Sequence, residues 1–187
     1  MLAHELIVLF GVYNLSDHYE VGRITLSPEK IKVHPDWNSS DTRQDADITI
    51  MTFESGAIPS SKFIQPICLW SDAIPPTQTN GYIGSWGVNR QSQNAYEGTP
   101  SKRKVQIVFN IFCFLRTKNL TNLATSRTFC AGSGNETGIC EGDNGGGVTI
   151  QVGSVFYFRG IVSSSLYDQI SCDLVAMSQS SPFLLTS

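Results

Sequence analysis

Short runs of apolar or alternating residues, separated by turn-forming residues, follow one another along most of this chain. Runs of this length with turn signals between them are typical of strands, and a long series of them indicates an all-β barrel or sandwich. The pattern predicts strands over residues 6–13, 20–26, 31–33, 48–53, 81–88, 104–109, 146–152, 155–163 and 174–177. One or two helical turns are predicted after Phe112, where Cys113, Arg116 and Leu120 recur at helical spacing.

The size and charge of the chain exclude several classes of function. Its 187 residues suit one domain or two small packed halves, and 41% apolar residues are enough for a core. With 13 basic against 16 acidic residues, it has no basic surplus for nucleic acid. We interpret the short basic run 102–104 as a solvated turn. The apolar segment 6–12 is preceded by Glu5 and has no basic flank, so it predicts a strand rather than a signal peptide. No membrane span is expected.

The cysteines and glycosylation motifs favour a secreted protein. Five cysteines are spread through the chain with no zinc-binding spacing, so we predict no metal site and no cofactor. Asn-x-Ser/Thr motifs, which are glycosylation candidates, occur at Asn14, Asn38, Asn119 and Asn135. Together these features indicate passage through an oxidising compartment and an extracellular location. The odd cysteine count leaves one thiol without an internal partner, and spacing alone leaves about fifteen pairing schemes open.

Three groups of motifs, in a fixed order, carry a resemblance to a known family. The first group is VHP at 33–35, DADITIM at 45–51 and IQPICL at 64–69. The second is GSWG at 84–87. The third is FCAG at 129–132 and GICEGDNGGG at 138–147, followed by GIVS at 160–163 and Cys172.

In order and spacing these motifs resemble the trypsin/chymotrypsin family of serine proteases over roughly residues 6–185. Within that family the chain is most similar to the arthropod serine protease homologues that have lost the catalytic triad. The resemblance implies two six-stranded antiparallel Greek-key barrels. It assigns residues 1–73 to an incomplete first barrel, 74–80 to a linker and 81–187 to a second barrel that ends in a short helix remnant. Together they form one protease-like domain.

The resemblance places the triad aspartate at Asp47 and the nucleophilic serine at Asn144. Cleavage of a peptide bond by this family needs a nucleophilic oxygen, a base beside it and a carboxylate that orients the base. The nitrogen lone pair of a carboxamide is delocalised into its carbonyl, so no neighbouring base can activate Asn144. The family's histidine motif lies upstream of the strand that 6–13 resembles, and we expect this chain to lack it. His4, His18 and His34 are interpreted as exposed or packing residues rather than as that base.

Further functional positions are implied by the same resemblance. They are Gly142 and Asn144 for the oxyanion-hole amides, Gly138, Ser163 and Ser165 for the specificity pocket, and Asp143 for pairing with a newly cut N-terminal amine. Gly138 stands where trypsins have the aspartate that selects basic substrates, so we expect no preference for them. Asp143 is expected to lack the amine, which predicts a zymogen-like, loosely set cleft.

The resemblance also implies a disulfide scheme. It pairs Cys113 with Cys130 and Cys140 with Cys172. It leaves Cys68 for a covalent link to an N-terminal module that is not in this chain. The alternative for Cys68 is a buried free thiol.

Three functions remain open at this stage. The first is a secreted pseudoprotease that binds proteases or their substrates, as a cofactor in an extracellular proteolytic or immune cascade. The second is a serine-type endopeptidase, if the sequence is a wrongly recorded fragment of an active enzyme. The third is a decayed product without a stable fold, whose incomplete barrel would expose sheet edges.

Overall fold

The computed structural model describes residues 3–40, 45–71, 80–87, 98–108, 125, 127–132, 142–165 and 176–180. Within them, one turn of 3-10 helix (Ala3–Glu5) precedes a series of strands. These are β1 (Val8–Phe10), β2 (Ile24–Leu26), β3 (Lys30–Val33), β4 (Thr49–Thr52), β5 (Cys68–Leu69), β6 (Asn80–Ser85), β7 (Ser101–Val108), β8 (Thr128–Gly132), β9 (Gly147–Val152), β10 (Val155–Ser165) and β11 (Ala176–Ser180). The predicted all-β class is confirmed. This part of the chain holds no helix with the length and hydropathy needed to cross a membrane.

The strands β6 to β11 close into an antiparallel barrel. Around it the order is β6-β7-β8-β11-β10-β9, and β9 pairs back with β6. β8 pairs with β11 and β6 pairs with β9, although these strands are not consecutive in the chain. Such pairings need the long connections that characterise a Greek key. This six-stranded barrel agrees with the second barrel that the family resemblance implies.

Alternating side chains fill this barrel. On β6, Ile83 points inward and is fully buried, while the next residue, Gly84, is exposed. On β9, Val148 and Ile150 are buried in the same way. Successive residues of a strand face opposite sides, so this period-two pattern places one apolar layer inside. The core cluster consists of Ile83, Val105, Phe129, Ala131, Val148 and Val162.

The strands β1 to β4 form two separate two-stranded sheets, β1–β2 and β3–β4, both antiparallel. The rings of Phe10, at the end of β1, and Phe53, just after β4, meet edge to face with centroids 5.2 Å apart. Ile50 and Met51 on β4 are each more than two-fifths exposed. The family resemblance assigns this region to an incomplete first barrel, and that assignment stays a prediction.

The short strand β5 docks the end of this first region onto the barrel. Cys68 and Leu69 pair in parallel with β10. The next residue, Trp70, donates its backbone N–H to the carbonyl oxygen of Phe158 at 3.0 Å. The guanidinium of Arg159 lies 5.6 Å from the ring of Trp70 and 4.7 Å from that of Phe129. Strand pairing and cation–π contacts therefore join the two regions.

Every predicted strand overlaps an observed one, but β5 and β8 were not predicted. Two residues are too few to show an alternating pattern, and β8 is buried at four successive positions, so its sequence does not alternate. Strand β7 begins at Ser101, three residues before its predicted start. The predicted helical turns after Phe112, the C-terminal helix and linker residues 74–79 lie outside the described residues, and Asn80 begins β6.

Candidate functional site

The segment that resembles the nucleophile block forms a turn between Gly142 and β9. Asn144 lies exposed in this turn, whereas Asp143 beside it is fully buried. Gly142 and Gly145 have φ of 86° and 85°, a region that favours glycine because it has no side chain to clash. The two glycines allow the chain to reverse sharply on either side of Asp143 and Asn144.

Backbone hydrogen bonds fix this turn against β10. Gly145 donates its N–H to the carbonyl oxygen of Val162 at 2.8 Å, and Val162 donates its own to Gly146 at 2.9 Å. Gly146 also donates to the carbonyl oxygen of Asp143 at 2.9 Å, which closes the turn. The segment that carries Asn144 is therefore bonded to the barrel wall through Gly145 and Gly146. The loosely set cleft stays a prediction.

Among the described residues, the buried carboxylate of Asp143 contacts polar side chains on two neighbouring strands. Ser85 on β6 donates its hydroxyl to Oδ1, and a terminal guanidinium nitrogen of Arg103 on β7 donates to Oδ2, each at 2.5 Å. The side chain of Arg103 is only 10% exposed. Ser101 accepts a hydrogen bond from Nε of Arg103 at 3.2 Å, which orients the guanidinium. A buried carboxylate needs such a partner to offset its loss of hydration.

Glycine at position 87 makes room for this carboxylate. A Cβ built on Gly87 would lie 2.0 Å from Oδ1 of Asp143. The last glycine of the GSWG motif is thus required by the close approach of Asp143. By contrast, a Cβ built on Gly84 would meet nothing within 4 Å.

The basic run 102–104 is not a solvated turn, as the sequence interpretation had it. These residues lie in the first half of β7, where Lys102 and Lys104 are exposed and Arg103 points to the opposite side. The period of two along a strand separates the arginine from its neighbours. The composition of the run did not predict this separation, because composition does not say on which face of a strand each charged side chain lies.

Asp47, the position of the triad aspartate, is half-buried, and its Oδ2 accepts a hydrogen bond from the Ser163 hydroxyl at 2.6 Å. Ser163 is itself buried, next to Val162 on β10. Because Val162 bonds to the turn 145–146, β10 links the aspartate position to the nucleophile-like segment. Asp47 and the segment around Asn144 are therefore both bonded to β10, the first through Ser163 and the second through Val162.

An ion-pair cluster lies beside Asp47. Arg127 is hydrogen-bonded to both carboxylate oxygens of Asp45, and it also contacts Asp36 at 2.6 Å. Thr125 donates its hydroxyl to Asp45 at 2.7 Å. The hydrogen bond from Arg127 lowers the pKa of Asp45, against the opposing effect of burial. The same bond, with a second one to Asp36, raises the pKa of Arg127.

This cluster ties Asp36 and Asp45 to the residues just before β8. Between Asp45 and Asp47, Ala46 is almost fully buried and has φ of 59°, an unfavourable value for a residue with a side chain. The residues on either side of Ala46 are both anchored, because Arg127 bonds to Asp45 and Ser163 bonds to Asp47. Sequence reasoning gave no role to Arg127, because its partners are about 80 positions away.

The remaining predicted residues are distributed over the molecule. His4 and His18 are exposed, and Nδ1 of His34 accepts a hydrogen bond from the backbone N–H of Asp36 at 3.1 Å. Ser165 ends β10, where it pairs with Ala176, and Gly138 lies outside the described residues. Gly142 and Asn144 occupy exposed positions, and their role as oxyanion-hole donors stays a prediction.

The cysteines are described only in part. Cys130 on β8 is disulfide-bonded, and Cys68 on β5 is a free thiol that is exposed rather than buried. The link of Cys68 to an N-terminal module stays a prediction. Cys113, Cys140 and Cys172 lie outside the described residues, and both predicted pairings stay predictions.

Two of the four glycosylation candidates can be located. Asn38 is exposed and Asn14 is half-buried, and each uses its Oδ1 to accept the backbone N–H two residues later. Asn119 and Asn135 lie outside the described residues.

Comparison with known proteins identifies the family of this chain. The model of the family described as Trypsin matches residues 3–174. The chain belongs to the trypsin family. It is 29% identical to "Serine protease gd" of Drosophila melanogaster over 88% of its own length and 35% of that protein. It is 28% identical to "CLIP domain-containing serine protease B4" of Anopheles gambiae, over 79% of this chain and 41% of that protein.

A vertebrate relative matches the same region. The chain is 26% identical to "Chymotrypsin-like elastase family member 1" of Bos taurus, over 83% of this chain and 58% of that protein. The chain thus spans between about one third and three fifths of the curated relatives it matches. Within this trypsin-family chain, the position that the resemblance gives to the nucleophile is Asn144.

Proposed function

We propose that this chain is a non-catalytic member of the trypsin family, a secreted pseudoprotease that binds other proteins. The observation that carries the proposal is Asn144. Its segment keeps the buried aspartate, the glycine turn and the hydrogen bonds to β10, but it holds a carboxamide where the family resemblance places the hydroxyl. A carboxamide has no nucleophilic oxygen that a base can activate. In this proposal the surface around the segment serves for binding, and the group that would attack a bound peptide is absent from position 144.

The partners that fit this proposal are extracellular proteases and their protein substrates. A protease-like surface that does not cut can hold a protease or its zymogen next to the protein that it acts on. This raises the effective concentration of one relative to the other without any chemistry at the site. The insect relatives are a serine protease and a CLIP domain-containing serine protease, which supports a proteolytic setting. That this setting is an extracellular or immune cascade is part of the proposal.

The proposal is tested by adding the purified protein to a trypsin-family zymogen and its activating protease from an arthropod extracellular cascade. The rate at which active enzyme appears is measured with a chromogenic peptide. We expect the wild-type protein and Asn144→Ala to change this rate equally, because the residue is not used as a nucleophile. Heat-unfolded protein is the control. Equal rates with and without the folded protein, over a panel of such pairs, contradict a cofactor function.

A serine-type endopeptidase is the second candidate, and one observation favours it. Asp47 lies in a defined hydrogen bond with Ser163, in a chain whose family and relatives are serine proteases. This candidate requires a serine at position 144 and a histidine base from a longer parent chain. Sequencing the transcript across its 5′ end and codon 144 decides between the two candidates.

A further inference from the structure

The buried carboxylate of Asp143 is neutralised by the barrel itself. In the family resemblance, the residue at this position pairs with an amine that exists only after the chain is cut. Here the positive charge comes from Arg103, the third residue of β7, whose backbone pairs in register with Ile83 on β6. Strand pairing fixes the position of this arginine, so the charge is delivered by folding alone.

Each polar atom that is used in the pair of Asp143 and Arg103 has its own partner. Arg103 occupies Oδ2 of Asp143 and Ser85 occupies Oδ1, while Ser101 accepts from Nε of the arginine. The carboxylate is fully buried and the arginine nearly so, and Gly87 packs against the carboxylate on its open side. A charge-assisted bond in such surroundings is strong and directional.

Fixing the side chain of Asp143 also fixes the backbone next to it. The carbonyl oxygen of Asp143 accepts from Gly146, whose own carbonyl accepts from Val162 on β10. Asn144 lies between these anchored points. The side-chain pair and the backbone bonds therefore hold the same five-residue segment from two directions.

We propose that Arg103 is a built-in counter-ion that sets the segment 142–146 in its bonded conformation without cleavage of the chain. Arg103 acts as a positioning residue, since it orders Asn144 and its neighbours through Asp143. This goes beyond the proposed function, because it concerns how the segment is held whichever protein binds there. A binding surface of this kind is available as soon as the chain has folded.

Hydrogen exchange of the intact chain tests this directly, with mass spectrometry to confirm that the chain is uncut. Protection of the amides of Gly145, Gly146 and Val162, corrected for intrinsic rates, is compared at about pH 7 and about pH 9.5. A terminal amine has a pKa of about 8 and loses its charge over this interval, whereas a guanidinium keeps it. We expect unchanged protection. Loss of protection at the higher pH shows that an amine holds the segment and overturns the proposal.

Substitution of the arginine gives the second arm. Arg103→Gln should raise exchange of these three amides by at least about tenfold, while Arg103→Lys, which keeps a charge, should raise it less. Lys104→Gln is the matched control, since it removes a positive charge from the exposed side of the same strand. Equal exchange in Arg103→Gln and Lys104→Gln contradicts the proposal. If Arg103→Gln does not fold, the pH comparison on the unaltered protein still decides. Neither arm needs a binding partner, so failure here is distinct from failure of the cofactor function.

Discussion

The hydroxyl of Ser163 donates a hydrogen bond of 2.6 Å to Oδ2 of Asp47, and this bond joins residues 116 positions apart in the chain. Asp47 belongs to the region of the small sheets, and Ser163 lies on the wall of the closed barrel. The bond gives a half-buried carboxylate a hydrogen-bond donor. A carboxylate that is partly removed from water requires such a donor whether or not the site is catalytic.

Removing this donor should destabilise the protein. Ser163→Ala leaves the Asp47 carboxylate without its hydroxyl partner, and hydrogen bonds to charged groups contribute about 1.5–3 kcal/mol. We expect a loss in this range in the free energy of unfolding, measured by urea denaturation. Ser154→Ala, at an exposed turn position, is the control and should change it by less than about 0.5 kcal/mol. Equal effects of the two substitutions would show that the bond is not formed in solution.

The cluster of Asp45 and Arg127 should make stability depend on acid pH. The pKa of Asp45 is lowered in the folded protein from its ordinary value of 3.8, mainly by the hydrogen bond from Arg127. Folding therefore favours the charged form, and its contribution is complete above the unfolded pKa. It is lost as the pH falls through 3.8 toward the lower folded value.

Asp45→Asn should remove this contribution and flatten the acid limb of the stability curve, measured by thermal unfolding between about pH 2 and pH 6. Asp36→Asn is the matched comparison, because Asp36 also contacts Arg127 but is 58% exposed. An exposed ion pair contributes little, so this variant should keep the acid limb of the wild type. An unchanged acid limb in Asp45→Asn contradicts the assignment.

Gly87 should tolerate no side chain. Gly87→Ala would place a methyl group 2.0 Å from the Asp143 carboxylate, which must then leave its two partners. Disruption of a buried ion pair costs about 3–5 kcal/mol. Gly84→Ala, on the preceding strand, is the matched control because its Cβ would meet nothing within 4 Å. Chemical denaturation should show a large loss for the first variant and a change within about 0.5 kcal/mol for the second. Similar losses in the free energy of unfolding for the two variants would show that the Asp143 carboxylate does not lie against Gly87.

The barrel core should respond to a cavity. Ile83 is fully buried in the core cluster, so Ile83→Ala should cost about 2–5 kcal/mol in the free energy of unfolding. Ile58→Ala removes the same atoms from a residue that is 39% exposed, and its effect should be clearly smaller. The comparison also tests whether the chain folds cooperatively, because a decayed product without a stable core would show no sharp transition for either variant or for the wild type.

Strand positions could be predicted from the sequence where burial alternates. Strand β9 was found almost to the residue, because Val148 and Ile150 alternate with outward-facing positions. Strand β8 was missed because all of its first four residues are buried, a pattern that periodicity cannot assign to a strand. Closure of the barrel depends on the long-range pairings β6–β9 and β8–β11, and only the family resemblance anticipated it.

The site was predicted at the level of positions rather than contacts. Motif order located Asp47, Asp143, Asn144 and Ser163, but it did not provide the partners that hold them. Arg103 lies 40 positions from Asp143, and its neighbours Lys102 and Lys104 made the run look like an ordinary solvated turn. A counter-ion is defined by distance in space and by burial, and neither can be read from the local sequence.

The most direct test of the account is peptide hydrolysis by the purified protein, made from the full transcript with codon 144 sequenced. Chromogenic peptide amides that cover basic, aromatic and small residues at the cleaved position serve as substrates. Asn144 should be confirmed, and the wild type and Asn144→Ala should both give the rate of buffer alone, because the residual catalysis of a triad-deficient protease is only about 10³–10⁴-fold over water. A serine codon at position 144, or a wild-type activity that Asn144→Ala abolishes, would contradict the account.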